Sequence, residues 1–110
     1  MALPHHQPLD LIDLRPLGPA LHDAVTTSLL KTPTLQLMRI VLPQGSSLPE
    51  HHVPGALTVH CLEGEVIVTT PQRDCPLQAG QLVMLEGGVP HALQAVQDSS
   101  LLVTVLLHAG

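Results

Sequence analysis

The 110-residue chain contains no Phe, Tyr or Trp. Base stacking is thereby lost as a means of holding single-stranded nucleic acid, and any mechanism with a tyrosine acid is excluded. Cations are scarce too. Four Lys or Arg stand against nine Asp or Glu, for a net charge of −5 with His neutral, so the basic face that a phosphate backbone requires cannot be built. Nucleic acid is not an expected partner. No apolar run approaches the ~20 residues of a membrane-crossing helix. The opening MALPHHQPLDLIDLRP lacks the basic start and apolar core of a secretory signal. No membrane partner is expected, and the expected compartment is the cytoplasm. Cys61 and Cys75 form neither a CxxC pair nor a zinc-ribbon spacing. In a reducing compartment they are expected as two inert thiols in or near the core.

What remains is a globular composition, 45% hydrophobic and 12% charged, of a length that makes one domain. Residues 1–24 are Pro-rich and expected to be irregular, with LDLIDL (Leu9 to Leu14) a short edge strand or one helical turn. Residues 25–110 are expected to form the body. AVTTSLLKT, LQLMRIVL, ALTVHCL, EVIVTT, QLVML, HALQAV and LLVTVLL are short apolar or β-branched runs separated by Pro, Gly, Asp and Ser. No stretch has a helical period. Seven or eight strands with a turn signal every eight to twelve residues predict an all-β sandwich or barrel. Glu63-Gly64 between two apolar runs reads as a hairpin turn, and PQRDCP reads as a loop.

Histidine is the one abundant chemical group, with eight residues. His51 follows Gly45-SSLPE, and Gly64 closes that stretch. Gly80, Gly88 and His91 form a second spaced set. In these residues the chain resembles the small single-domain cupins, whose motifs read G(X)5HXH(X)3,4E(X)6G and G(X)5PXG(X)2H(X)3N. The resemblance runs from about Leu35 to Leu107. It implies an all-β jelly-roll (double-stranded β-helix) cupin barrel, with a metal site of three histidines and a glutamate inside. This chain departs from the pattern at four places. Val53 stands at the second histidine, Leu57 at the glutamate, Glu86 at the proline and Ala95 at the asparagine.

His51 and His91 keep the motif positions. By the resemblance they face one cavity, with Leu57 and Val59 in its wall, and hold a divalent ion (Fe, Mn, Ni or Zn) if one is bound. A third donor would have to come from elsewhere. Strand alternation puts Leu57, Val59 and Cys61 inward and His60 outward, unless a one-residue bulge near Pro54-Gly55 reverses the parity and makes His60 a ligand. His52 is a further candidate donor or a solvated turn histidine, since neighbours on an extended segment face opposite ways and rarely bind one ion. Glu86 is either a carboxylate at the mouth, acting as a base or further ligand, or a solvated loop residue. Arg39, in mid-strand, either snorkels to a rim or meets an acidic group inside. His5, His6, His22 and His108 are expected to be exposed.

Two functions fit. One is a small-molecule-binding cupin with an apolar pocket and an incomplete histidine metal site. The other is a metal-dependent enzyme, of oxygenase or isomerase type, acting on a small organic molecule. Sugar-nucleotide epimerase chemistry, also found on the cupin fold, uses a tyrosine acid that this chain lacks. The resemblance further implies a homodimer.

Overall fold

The computed structural model describes residues 5–107, so His108 lies outside the described residues. An irregular segment leads into a 3₁₀ turn at Gly18–Asp23. Nine strands follow among the described residues: β1 (Thr27–Lys31), β2 (Leu35–Leu42), β3 (Ser47–His51), β4 (Leu57–Glu63), β5 (Glu65–Thr69), β6 (Asp74–Gln78), β7 (Leu82–Leu85), β8 (His91–Ala95) and β9 (Ser99–Leu106). They form two antiparallel sheets, ordered β1-β2-β9-β4-β7 and β3-β8-β5-β6. The fold is an all-β jelly roll.

Period-2 alternation builds the core. Ile40 and Leu42 on β2, Leu57, Val59 and Cys61 on β4, and Leu101, Val103 and Val105 on β9 turn inward from the first sheet. Val66 and Val68 on β5, Leu77 on β6, and Leu93 and Ala95 on β8 meet them from the second. The buried hydrophobic cluster is aliphatic with one thiol, so it is filled by many small branched groups rather than by aromatic residues.

Three sequence expectations need correction. Glu63-Gly64 is not a hairpin turn: β4 pairs with β7 and β9, while β5 pairs with β6 and β8. The turn instead carries the chain from one sheet to the other. Gly64 is at φ +85°, and a Cβ there would collide with Ser99 Oγ and the Asp98 carbonyl, so only glycine makes this corner. LDLIDL is neither strand nor helical turn. Half of PQRDCP is strand, since β6 begins at Asp74.

The irregular N-terminal segment is tied across the outer face of the five-stranded sheet. Arg39 points outward on β2, and its guanidinium donates to the carbonyls of Asp13 (3.4 Å) and Arg15 (2.7 Å). It therefore neither snorkels nor meets an acid inside. It is only 9% exposed, beneath the segment it holds. Glu63 fixes the other end by accepting the N–H groups of Leu17 (2.8 Å) and Gly18 (3.1 Å) and the hydroxyl of Ser100 (2.8 Å). Two charged side chains thus clamp a stretch of backbone that has no ladder of its own.

Candidate functional site

One cavity lies between the two sheets, with a volume of about 90 Å³. The first sheet contributes Met38, Ile40, Leu57, Val59, Val103 and Val105; the second contributes Leu48, His51, His91 and Leu93, and Val53 lies between β3 and β4. Its only polar side chains are the two imidazoles.

These imidazoles are brought together by strand register. β3 pairs with β8, and His51 stands opposite His91. Their ring centroids are 4.4 Å apart, with the planes tilted by 56°. His91 follows from simple alternation, since His91, Leu93 and Ala95 face inward on β8. His51 does not. From Leu48 to His51 is three residues, yet their partners Leu93 and His91 are two apart. An extra residue is therefore bulged at Pro49-Glu50, and it turns both Leu48 and His51 toward the cavity, which an unbroken strand could not do. Pro49 has no N–H to give a ladder and sits on an outermost strand, where its absence is tolerated.

The bulge has a second effect. The Pro49 carbonyl lies 3.2 Å from His51 Nδ1, and the Val89 carbonyl lies 3.0 Å from His91 Nδ1. A carbonyl can only accept, so each Nδ1 carries the proton. In its neutral form each ring thus keeps its lone pair on Nε2, and a main-chain oxygen fixes its orientation. His91 is 3% exposed, whereas His51 is exposed at the mouth.

The other sequence candidates lie elsewhere. β4 runs in unbroken register with β7 and β9 from Leu57 to Cys61, so no bulge reaches His60. Leu57, Val59 and Cys61 point inward and His60 outward, between its cross-strand neighbours Leu82 and Leu102. Reversed parity would bury Thr58 and His60 and expose three apolar groups. The tight passage at Pro54-Gly55 is instead a close backbone approach: a Cβ on Gly55 would strike the Leu106 carbonyl, and one on Gly87 the Pro54 carbonyl. His52 is exposed. Glu86 is also exposed and borders a separate surface cleft with Thr70, Arg73 and Cys75. His60, His52 and Glu86 therefore do not line the cavity that His51 and His91 share. Sequence reasoning missed Leu48 and Met38 as cavity residues, because the first depends on the bulge and the second lies on a strand that the motifs do not cover.

Val53 and Leu57 line the cavity as apolar groups. Among the described residues, no three His, Cys, Asp or Glu side chains are arranged to hold a metal ion. Zinc and first-row metals usually take three or more protein donors, and this cavity offers two imidazoles in an aliphatic wall. The residues do not fit the four-donor site that the resemblance implied.

The sequence profile described as Cupin domain matches residues 38–107. The chain is a cupin. Among solved structures, this cupin is similar to a conserved protein of unknown function from Streptococcus pyogenes, with a TM-score of 0.78, 22% identity, and coverage of 100% of this chain and 97% of that one. A cupin superfamily protein from Desulfitobacterium hafniense gives 0.74 at 21% identity, covering 98% and 97%. A predicted oxalate decarboxylase from Thermotoga maritima gives 0.67 at 24%, covering 76% and 79%. At these identities the likeness is one of fold. No curated protein matches the cupin in sequence. No helix among its described residues is long and apolar enough to cross a membrane.

Proposed function

We propose that this cupin binds a small organic molecule in the cavity between its sheets, with His51 and His91 as the polar contacts and no resident metal. The observation that carries this reading is the aliphatic wall at Val53 and Leu57, where the cupin motif would place a histidine and a glutamate. An ion held by two imidazoles alone would have to complete its shell with solvent in an apolar space. Apolar surface with a few convergent polar groups is instead the ordinary make-up of a small-molecule pocket.

One observation favours the metal-dependent enzyme as the second reading. Each ring is oriented through Nδ1 with Nε2 free, as metal-ligating histidines are. In that case His51 and His91 would hold the ion and leave positions for substrate. Elemental analysis of the protein purified without added metal decides between them. The proposal expects far less than one equivalent of any transition metal. Stoichiometric Fe, Mn, Ni or Zn that survives dialysis and disappears in His91→Ala would overturn it.

We further propose a homodimer formed through the outer face of the five-stranded sheet. Beyond the clamped segment this face presents Leu35, Leu37, Leu82, Met84, Leu102 and Leu106, with Thr58, Thr104 and His60 among them. Leu82, Met84 and Leu106 are more than half exposed. None of these residues is formally charged, so two copies of a chain with net charge −5 can meet here without like-charge contact. Light scattering at micromolar concentration should give about twice 11.7 kDa, and Met84→Glu should return it to the monomer. A monomer mass for the unsubstituted protein would defeat the proposal.

A further inference from the structure

We infer that the ligand is a neutral aliphatic alcohol or diol of about six heavy atoms or fewer, an alcohol donating its hydroxyl hydrogen to Nε2 of one of the two histidines, His51 or His91, and a diol donating one to each. This rests on the small-molecule reading above and names the chemistry of its occupant.

Size comes first. The cavity measures about 90 Å³, smaller than the ~150 Å³ of a dry protein cavity that accepts benzene. A sugar ring with its hydroxyl groups is too large to enter whole. The wall is made of branched side chains, chiefly Leu, Val and Ile, which complement a short branched body better than a flat one.

Polarity then selects the head group. Both Nδ1 protons are committed to carbonyls, so in its neutral form each ring presents Nε2 as an acceptor and no donor. A ketone or ether would set lone pair against lone pair. No Lys or Arg lines the cavity to pair a carboxylate, and no Asp or Glu lines it to pair an ammonium. A buried ion without a partner is strongly disfavoured. A primary amide could donate, but its carbonyl would find no donor inside. A hydroxyl can donate to one imidazole while its own oxygen stays near the mouth, where His51 is exposed. A vicinal diol can serve both rings.

The test titrates the intact cupin with a matched set while methyl NMR signals of Val59, Leu93 and Val103 are followed. The probes are 3-methylbutan-1-ol, butane-2,3-diol, 3-methylbutan-2-one, isobutyl methyl ether, 3-methylbutanoate and 3-methylbutylammonium. The alcohol and the diol are expected to bind at least ~10-fold tighter than the ketone, ether and both ions. His51→Leu, at the exposed mouth, should keep the fold and remove the diol's advantage over the alcohol, while the alcohol keeps its preference over the ether through His91. Equal binding of ether, ketone and alcohol would overturn the hydroxyl assignment and leave the small-molecule reading standing. Tightest binding by the carboxylate or ammonium would do the same. If no probe shifts the cavity methyls at millimolar concentration, both the assignment and the small-molecule reading fall.

Discussion

Replacing Glu63 tests the clamp that holds the N-terminal segment. Its carboxylate accepts three hydrogen bonds: Leu17 N–H and Ser100 O–H on Oε1, and Gly18 N–H on Oε2. Bonds to an ionised acceptor are worth about 1.5–3 kcal/mol each where water cannot substitute. Here water can reach the site, so Glu63→Ala should cost about 2–3 kcal/mol in total and Glu63→Gln about 1 kcal/mol. At about 4 °C per kcal/mol, the alanine variant should melt roughly 8–12 °C lower. Burial pushes the Glu63 carboxyl up. The bonds from Leu17, Ser100 and Gly18 and the nearby Arg39 charge outweigh it, and the group settles below its ordinary 4.5. A lowered folded value means that the stabilisation is complete above the unfolded value and fades as pH falls through the folded one. The gap between the unsubstituted protein and Glu63→Gln should therefore be full at pH 7 and shrink below about pH 4. Far-ultraviolet circular dichroism melts supply the measurement, since the chain has no aromatic residue to fluoresce. Amide exchange at Leu17 and Gly18 reports the clamp locally, and both should lose protection in the alanine variant. Equal melting temperatures at pH 7 together with unchanged exchange would refute the clamp.

Other perturbations test the core and the site. Val53→His combined with Leu57→Glu places two more donors in the cavity wall. Leu57 is 4% exposed, so without metal the double variant should lose about 3–5 kcal/mol, and zinc should restore its melting temperature while leaving the parent unchanged. Gly64→Ala forces a side chain into a positive-φ corner against Asp98 and Ser99; a loss of more than about 2 kcal/mol is expected in denaturant titrations. Cys61 is fully buried, and burial pushes its thiol up from 9.0. A thiol reagent should therefore label only Cys75 in the native protein and both cysteines in denaturant.

Much of this structure is visible in the sequence, and the misreadings share a cause. LQLMRIVL and EVIVTT are read correctly because their β-branched runs are bounded by turn residues. β3 and β6 escape notice because SLPEH and DCPLQ contain proline, which normally argues against a strand. Both are the outermost strands of the four-stranded sheet, where a missing N–H leaves no partner unsatisfied. Glu63-Gly64 shows that a turn signal gives the reversal but not the pairing: whether β4 and β5 share a sheet is decided by β8 and β9, which lie far along the chain. His51 and His91 are legible through the resemblance to the cupin motifs, whose spacing they keep. The bulge that aims His51 is not, since Pro49-Glu50 carries no side-chain pattern that distinguishes it from Pro54-Gly55. The failure of His60 follows from the same parity argument applied to the correct strand.

The position of β9 governs how this molecule comes into being. It lies between β2 and β4, with Leu35 opposite Leu106 and Leu57 opposite Val105, yet it is synthesised after the other eight described strands. Until it leaves the ribosome, β2 and β4 have no common neighbour, and their inward-facing aliphatic residues lack Leu101, Val103 and Val105 between them. A nascent chain halted at the β8–β9 turn would carry two unpaired apolar edges, the kind of surface that recruits chaperones or other nascent chains. Folding of the larger sheet is thus a single late event rather than a stepwise zippering from the N-terminus. Ribosome-stalled chains of increasing length should become protease-resistant abruptly, once Leu101, Val103 and Val105 clear the exit tunnel.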